Sequence, residues 1–228
     1  MKIAIHQPQY LPWLGFFHKM DSADIFVLLD DVQYKKNEWQ NRNQLRNAEG
    51  SQWITVPVHV DFGQKISEVK IDNSKPWKEK HLKSLEMNYS HATFFTDYFP
   101  VFEKEFAKDW EYLVNLNITF IEEFKKALGI GTEIVKSSSL NIETKSTERL
   151  IDICKALNAD TYIAGPGCRD YMDTGLFDAN DIGLEIQEYT HPEYKQVFDG
   201  FEPFMSVVDL LFCHGKDSLE IIRKGGKK

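Results

Sequence analysis

An apolar run that breaks off in His6-Gln7-Pro8 constrains this chain more than any other feature. Ile3-Ala4-Ile5 reads as a first strand, and a turn carrying Tyr10, Trp13 and Gly15 leads into an amphipathic segment ending at Met20. The next segment repeats the pattern, because Ile25-Phe26-Val27-Leu28-Leu29 is apolar and closes in Asp30-Asp31. Strand, loop and helix in that order build an open α/β sheet, whose ligands collect outside the carboxyl ends of its strands. Two successive strands that deliver polar groups there predict a site at that edge.

The rest of the chain extends this reading. Val56, Val58 and Val60 alternate with other residues and predict a third strand, with the alternation from Ile66 to Ile71 as its partner. Asn73-Ser74-Lys75-Pro76 is a helix-start signal before a helical pattern from Trp77 to Tyr89. Phe94 to Phe99 reads as a connection. Helical periodicity then runs from Val101 to Leu128, broken near Asp109 or Asn117 and ended by Gly129. Residues 74–130 are thus expected to form a helical insertion. Strands follow at Glu133-Ile134-Val135, at Thr161 to Ala164 and at Leu184 to Tyr189, with a helix opening at Ser146. Val207 to Phe212 and the segment from Leu219 read as the last helices. The expected fold is a single α/β domain over residues 1–228, with a mostly parallel sheet flanked by helices in a Rossmann-like arrangement.

Bulk properties exclude some classes of function. With 228 residues and 42% hydrophobic side chains, the chain is long and apolar enough to bury a core. A net charge of −8 disfavours wrapping nucleic acid or an anionic membrane. No apolar run approaches the roughly 20 residues that span a bilayer, and no secretory signal is read at the N-terminus. A cytoplasmic protein is the expectation. Cys154, Cys168 and Cys213 follow no metal-binding spacing and read as buried or idle thiols. No pattern specifies a cofactor, a metal or an oligomeric state.

Candidate site residues gather at the predicted strand ends. His6, with Gln7 beside it, would serve as acid, base or phosphate donor; its structural alternative is a ring tied to backbone. Tyr10 and Trp13 offer a stacking platform for a base or sugar, or else a hydrophobic plug. Gly15 would let backbone approach a phosphate at a helix start. Asp30 and Asp31 should point to opposite faces. One then meets the cleft, to hold a divalent ion, a sugar hydroxyl or an amine, while the other caps a turn; the alternative is capping by both. Lys35, Lys36, Arg42 and Arg46, interleaved with Trp39, Asn41 and Asn43, form the best phosphate-binding candidate, against a solvated charge run. Gly165, Gly167, Arg169 and Asp170 form a second strand-end loop, and His191 and Gln196 belong to a third.

Long stretches of the chain resemble the WbqC-like family. They are His6 to Lys19, Leu28 to Lys36, Trp39 to Asn43, Thr147 to Ile151, Tyr162 to Gly167 with Asp170-Tyr171, His191 to Gln196, and Phe201 to Leu211. The resemblance implies a setting in bacterial surface-polysaccharide synthesis and a role in decorating amino sugars. The resulting expectation is an enzyme that transfers an acyl or aminoacyl group to the amine of a nucleotide-linked sugar. His6 or Asp31 would be the general base, and Lys36 with Arg42 would hold the diphosphate. Two alternatives stay open. One is a non-catalytic sugar-nucleotide-binding module. The other is an ATP- or CTP-using nucleotidyltransferase-like enzyme, although the His-x-Gly-His turn of such proteins here reads Trp13-Leu14-Gly15-Phe16 and lacks both histidines.

Overall fold

A computed structural model describes residues 1–170 and 172–226, apart from the side chains of Arg169 and Asp170. Its centre is a five-stranded sheet. The elements run β1 (Lys2–His6), α1 (Leu14–Asp21), β2 (Ile25–Leu28), β3 (Arg42–Asn47), β4 (Gly50–Thr55), β5 (Val58–His59) and β6 (Lys70–Ile71). Then come α2 (Trp77–Tyr89), α3 (Phe95–Phe106), α4 (Leu113–Leu128), β7 (Glu133–Lys136), α5 (Ser146–Ala156), β8 (Thr161–Ala164), α6 (Gly175–Asp178), β9 (Gly183–Ile186), α7 (Val207–His214) and α8 (Ser218–Lys224).

The large sheet has the order β7-β2-β1-β8-β9, and every pairing in it is parallel. Its inner strands β2, β1 and β8 are short, mostly apolar runs because both of their faces are covered. The edge strands β7 and β9 instead carry charged residues. Alternate residues divide between two cores. Ala4, Phe26, Leu28 and Ile163 pack on the face shared with α1, α4, α7 and α8. Ile3, Ile5, Val27, Tyr162 and Ala164 pack on the opposite face against α5 and α6. The chain leaves β1 toward β2 and β7, then returns across the sheet to β8 and β9. The order therefore reverses between β1 and β8, which opens a crevice at their carboxyl ends.

Between β2 and β7 the chain forms two small antiparallel sheets and three helices. The β3–β4 hairpin was not legible as strand, because its first strand, Arg-Asn-Gln-Leu-Arg-Asn, is mostly polar. β5 and β6 pair over two residues each, much shorter than the expected alternation. The segment expected as a connection is helical, since α3 begins at Phe95 and carries Pro100 within it. Phe95, Phe99, Phe102 and Phe106 share one stripe at i, i+4, i+7 and i+11 there, and packing of that stripe outweighs the amide lost at proline. The break before α4 falls near Asp109, and α4 ends at Gly129 with φ +73°, the left-handed conformation that glycine adopts without strain. Among the described residues, no helix is long and apolar enough to cross a membrane.

Candidate functional site

The carboxyl ends of β1, β2 and β8 surround a cleft of about 420 Å³. His6, Lys19, Lys35, Arg149, Tyr162 and Gly165 are among its lining residues, so it sits where the strand order reverses. A larger groove of about 750 Å³ lies beside α2. Much of its charge is paired, Lys70 with Glu111 at 2.7 Å and Lys78 with Asp109 at 3.7 Å. The switch-point cleft instead combines buried titratable groups with an opening.

His6 ends β1 on the face toward α1, where its ring meets Phe16 edge-on at 5.0 Å. Nδ1 donates to the Gln7 carbonyl at 2.9 Å, which leaves Nε2 as the acceptor nitrogen. Burial, reinforced by the positive charge of Lys19, pushes the imidazole down to about 3, although the bond to Gln7 works in the opposite direction. His6 is therefore neutral at neutral pH.

Lys19 comes from α1 and is 3% exposed. Its Nζ donates to the Ile5 carbonyl at 2.8 Å, so the amine lies beside the last residues of β1. Burial lowers it to about 7, against a smaller upward effect of Cys168. An amine poised there exchanges its proton at neutral pH.

Arg149 stands on the first turns of α5 and is 9% exposed. Nη1 donates to the carbonyls of Ile142 at 2.6 Å and Thr144 at 3.2 Å, and Nη2 pairs with Asp31. Asp31 also accepts from Ser137 Oγ at 2.5 Å. The carboxylate is thus committed to holding Arg149 in the cleft wall, which corrects its expected role as a base. Asp30 is 3% exposed and accepts from Ser138 N at 2.9 Å and Ser138 Oγ at 2.7 Å. It fixes the turn after β7 and does not line the cleft.

Gln7 lines the cleft and accepts from Gln40 Nε2 at 2.6 Å, while Gln40 Oε1 accepts from Lys35 N at 3.0 Å. This relay ties the loop after β2 to the end of β1 and leaves the Lys35 side chain at the rim.

Other expected site residues lie elsewhere. Tyr10 is fully buried and its hydroxyl meets His81 Nδ1 at 2.9 Å, so it offers no face for stacking. Trp13 and His191 belong to a separate aromatic cluster, stacked at 6.4 Å with Tyr189 and Phe204 beside Trp13. Gly15 is required by the Trp13 ring, because a Cβ there would stand 2.2 Å from Trp13 Cη2. That steric reason replaces phosphate approach. Gln196 is buried and bonds Glu202 O and Asp209, both at 2.9 Å, as a loop tie. Lys36 is exposed and does not line the cleft. Arg42 stacks 4.3 Å above Trp53, whose ring lies 5.4 Å from Trp39, so these three form a surface aromatic group. Gly165 lines the cleft, whereas Gly167 is exposed on the short turn Pro166–Asp170. The expectations for the Arg169 and Asp170 side chains fall outside the described residues.

Of the residues singled out by sequence, the cleft brings together His6, Gln7, Lys35 and Gly165, with Asp31 behind Arg149. Lys19 and Arg149 were missed. A signal existed for both, since each charge stands on the apolar stripe of its helix: Lys19 three residues after Phe16, and Arg149 four before Ile153. Among the described residues, no three or more His, Cys, Asp or Glu side chains converge to hold a metal ion.

Comparison with known proteins agrees with the motifs. The chain is 37% identical over 229 residues to the uncharacterized protein Rv1507c of Mycobacterium tuberculosis, covering 97% of each chain. No solved structure matches it. The sequence model of the WbqC-like protein family matches residues 7–221. The chain belongs to the WbqC-like family.

Proposed function

We propose that this protein is an enzyme that transfers an acyl or aminoacyl group to the amine of a nucleotide-linked sugar in surface-polysaccharide synthesis. The switch-point cleft is its active site in this reading. One observation carries it: the buried amine of Lys19 is held at the carboxyl end of β1, in a cleft wall shared with neutral His6. Amide formation joins R–NH₂ to R′–CO–X and releases HX, so a proton must leave the attacking nitrogen. Neutral Lys19 accepts that proton, and a base matched to the working pH contributes typically 10²–10⁴-fold. His6 Nε2 orients the amine or a neighbouring hydroxyl. The positive charges of Lys35 and Arg149 suit an anionic substrate in a protein whose net charge is −8.

Purified protein incubated with nucleotide-linked amino sugars and acyl donors, followed by mass spectrometry, tests the proposal. The expected product carries one new amide, and Lys19→Met abolishes it while His6→Gln diminishes it. Product formation at wild-type rate in Lys19→Met would remove the proposed base. The exposed Trp53 beside Trp39 favours a second reading, a sugar-binding module without catalysis. In that case, ligand binding persists in Lys19→Met and no donor yields product.

A further inference from the structure

We infer that the free edge of β4 pairs with a second copy of this chain, giving a two-fold dimer joined through antiparallel β4 strands. The inference is independent of the cleft and of the reaction assigned to it. β4 pairs with β3 in a register that sets Arg42 against Thr55, Gln44 against Trp53 and Arg46 against Ser51. In an antiparallel pair, successive residues turn their amides and carbonyls alternately toward and away from the neighbouring strand. The Thr55 carbonyl accepts from His81 Nε2 at 3.1 Å, outside the hairpin. Ser51 and Trp53 alternate with Thr55 in step and therefore share its outward direction.

The two outer edges of the hairpin differ. On the β3 side, Arg46 N donates to Tyr89 Oη at 2.8 Å, and Gln44 O accepts from Ser206 N at 2.9 Å. On the β4 side, among the described residues, the amides and carbonyls of Ser51 and Trp53 have no such partner. Proteins ordinarily guard an open edge with short strands and charged residues. The large sheet does so, because β7 and β9 have four residues each and carry Glu133, Lys136 and Glu185. β4 runs for six residues, Gly-Ser-Gln-Trp-Ile-Thr, without a charge.

Charge at the two ends of β4 selects a second copy as the occupant. Glu49 is exposed just before the strand. Beyond its other end, exposed Lys75 and Lys80 line a groove of about 420 Å³ together with Trp53, Thr55 and Pro57. Among the described residues, neither Glu49 nor Lys80 takes part in an ion pair. A two-fold axis at Trp53 sets that residue opposite the partner's Trp53, and Ser51 opposite the partner's Thr55. Glu49 then falls beside the partner's Pro57, at the end where the partner's Lys80 stands, and the same match recurs across the axis. Trp53 is 47% exposed and already braced by Arg42 at 4.3 Å, so it is an ordered anchor for such an interface.

Sedimentation velocity of the full chain, over a concentration series reaching about 100 µM, tests this. The expected species has twice the 26.5 kDa mass of the chain. Trp53→Lys, which charges the open edge, should weaken association at least about tenfold. Glu49→Lys and Lys80→Glu should each weaken it about three- to tenfold, and the two together should restore it to within about twofold of wild type. Both charge changes lie at exposed positions, so they decide the matter even where Trp53→Lys impairs folding. A chain that stays monomeric at the highest concentration, a dimer indifferent to Trp53→Lys in folded protein, or a charge swap without recovery would each overturn the interface. A monomer would also leave Trp53 open to ligand, as the sugar-module reading requires.

Discussion

Lys19 Nζ donates to the Ile5 carbonyl at 2.8 Å, joining the first helix to the first strand one residue before His6. The bond holds a buried amine at the mouth of the switch-point cleft and ties its protonation to both stability and turnover. Lys19 drops from an ordinary 10.5 to about 7 in the folded chain. Between those values the unfolded chain binds the extra proton, so this group makes stability rise with pH across that window. Lys19→Met should therefore stabilise the fold near neutral pH, by an amount on the order of a few kcal/mol. Turnover should climb as pH rises toward 7 and level off above it. Lys19→Arg, which stays charged, should lose at least about two orders of magnitude in rate. Urea unfolding and a pH–rate profile measure the two effects. A flat profile from pH 5 to 9 would contradict the assignment.

His6 should stay neutral across the physiological range, with its proton on Nδ1. Its folded value near 3 lies below the ordinary 6.5. The unfolded chain therefore binds more protons between those limits, and stability gained from this group rises with pH from about 3 to 6.5. Nitrogen-15 shifts of the ring should show no titration between pH 5 and 8. The rise of the urea midpoint from pH 4 to 6 should be shallower in His6→Gln. A ring that titrates near pH 6.5 is the adverse result.

Asp31 and Arg149 form an ion pair with both side chains largely shielded, at 15% and 11% exposure. Removing one partner of such a pair leaves a charge without compensation, a loss of about 3 kcal/mol or more for a buried pair. Asp31→Ala should lower the free energy of unfolding by about that much. Asp31→Ala combined with Arg149→Met should recover part of it, because the stranded guanidinium is gone. Denaturant titrations of the single and double variants decide this. If the double variant is less stable than Asp31→Ala alone, the stranded-charge account is wrong.

The centre of the sheet could be read from sequence because its inner strands are buried on both faces. Ile3-Ala4-Ile5 and Phe26-Val27-Leu28 are therefore unbroken apolar runs. The β3–β4 hairpin could not. Its polar first strand is held by hydrogen bonds to distant backbone, such as Asn43 Nδ2 to Leu11 O at 2.8 Å and Arg46 Nη2 to Asp199 O at 2.7 Å. Hydrophobic periodicity does not register such partners. The same limit governed the site. His6 and Gly165 followed from their places at strand ends. Tyr10 read equally as a stacking platform or a hydrophobic plug, and only His81, 71 residues away, decides for the plug by closing over its hydroxyl. Lys19 and Arg149 looked like ordinary helix charges because their burial depends on what packs against them.

Gly15 offers a test of the packing that positions α1, and with it Lys19. A Cβ at residue 15 would meet the Trp13 ring at 2.2 Å to Cη2 and 2.4 Å to Cζ2. Gly15 has no left-handed φ and lies inside a helix, where alanine is intrinsically the better residue by roughly 1 kcal/mol. Propensity thus predicts that Gly15→Ala stabilises, whereas the clash predicts the opposite. Trp13 is wedged among Tyr189, His191 and Phe204, so it yields only by disturbing that cluster. Overpacking of this kind costs typically 1–3 kcal/mol, which exceeds the propensity gain. Gly15→Ala should be destabilising on its own. In a Trp13→Ala background, with the ring removed, the same substitution should become neutral or stabilising. Thermal unfolding of the four proteins in that cycle gives the sign directly, and a stabilising Gly15→Ala in the presence of Trp13 would show that the ring moves aside freely.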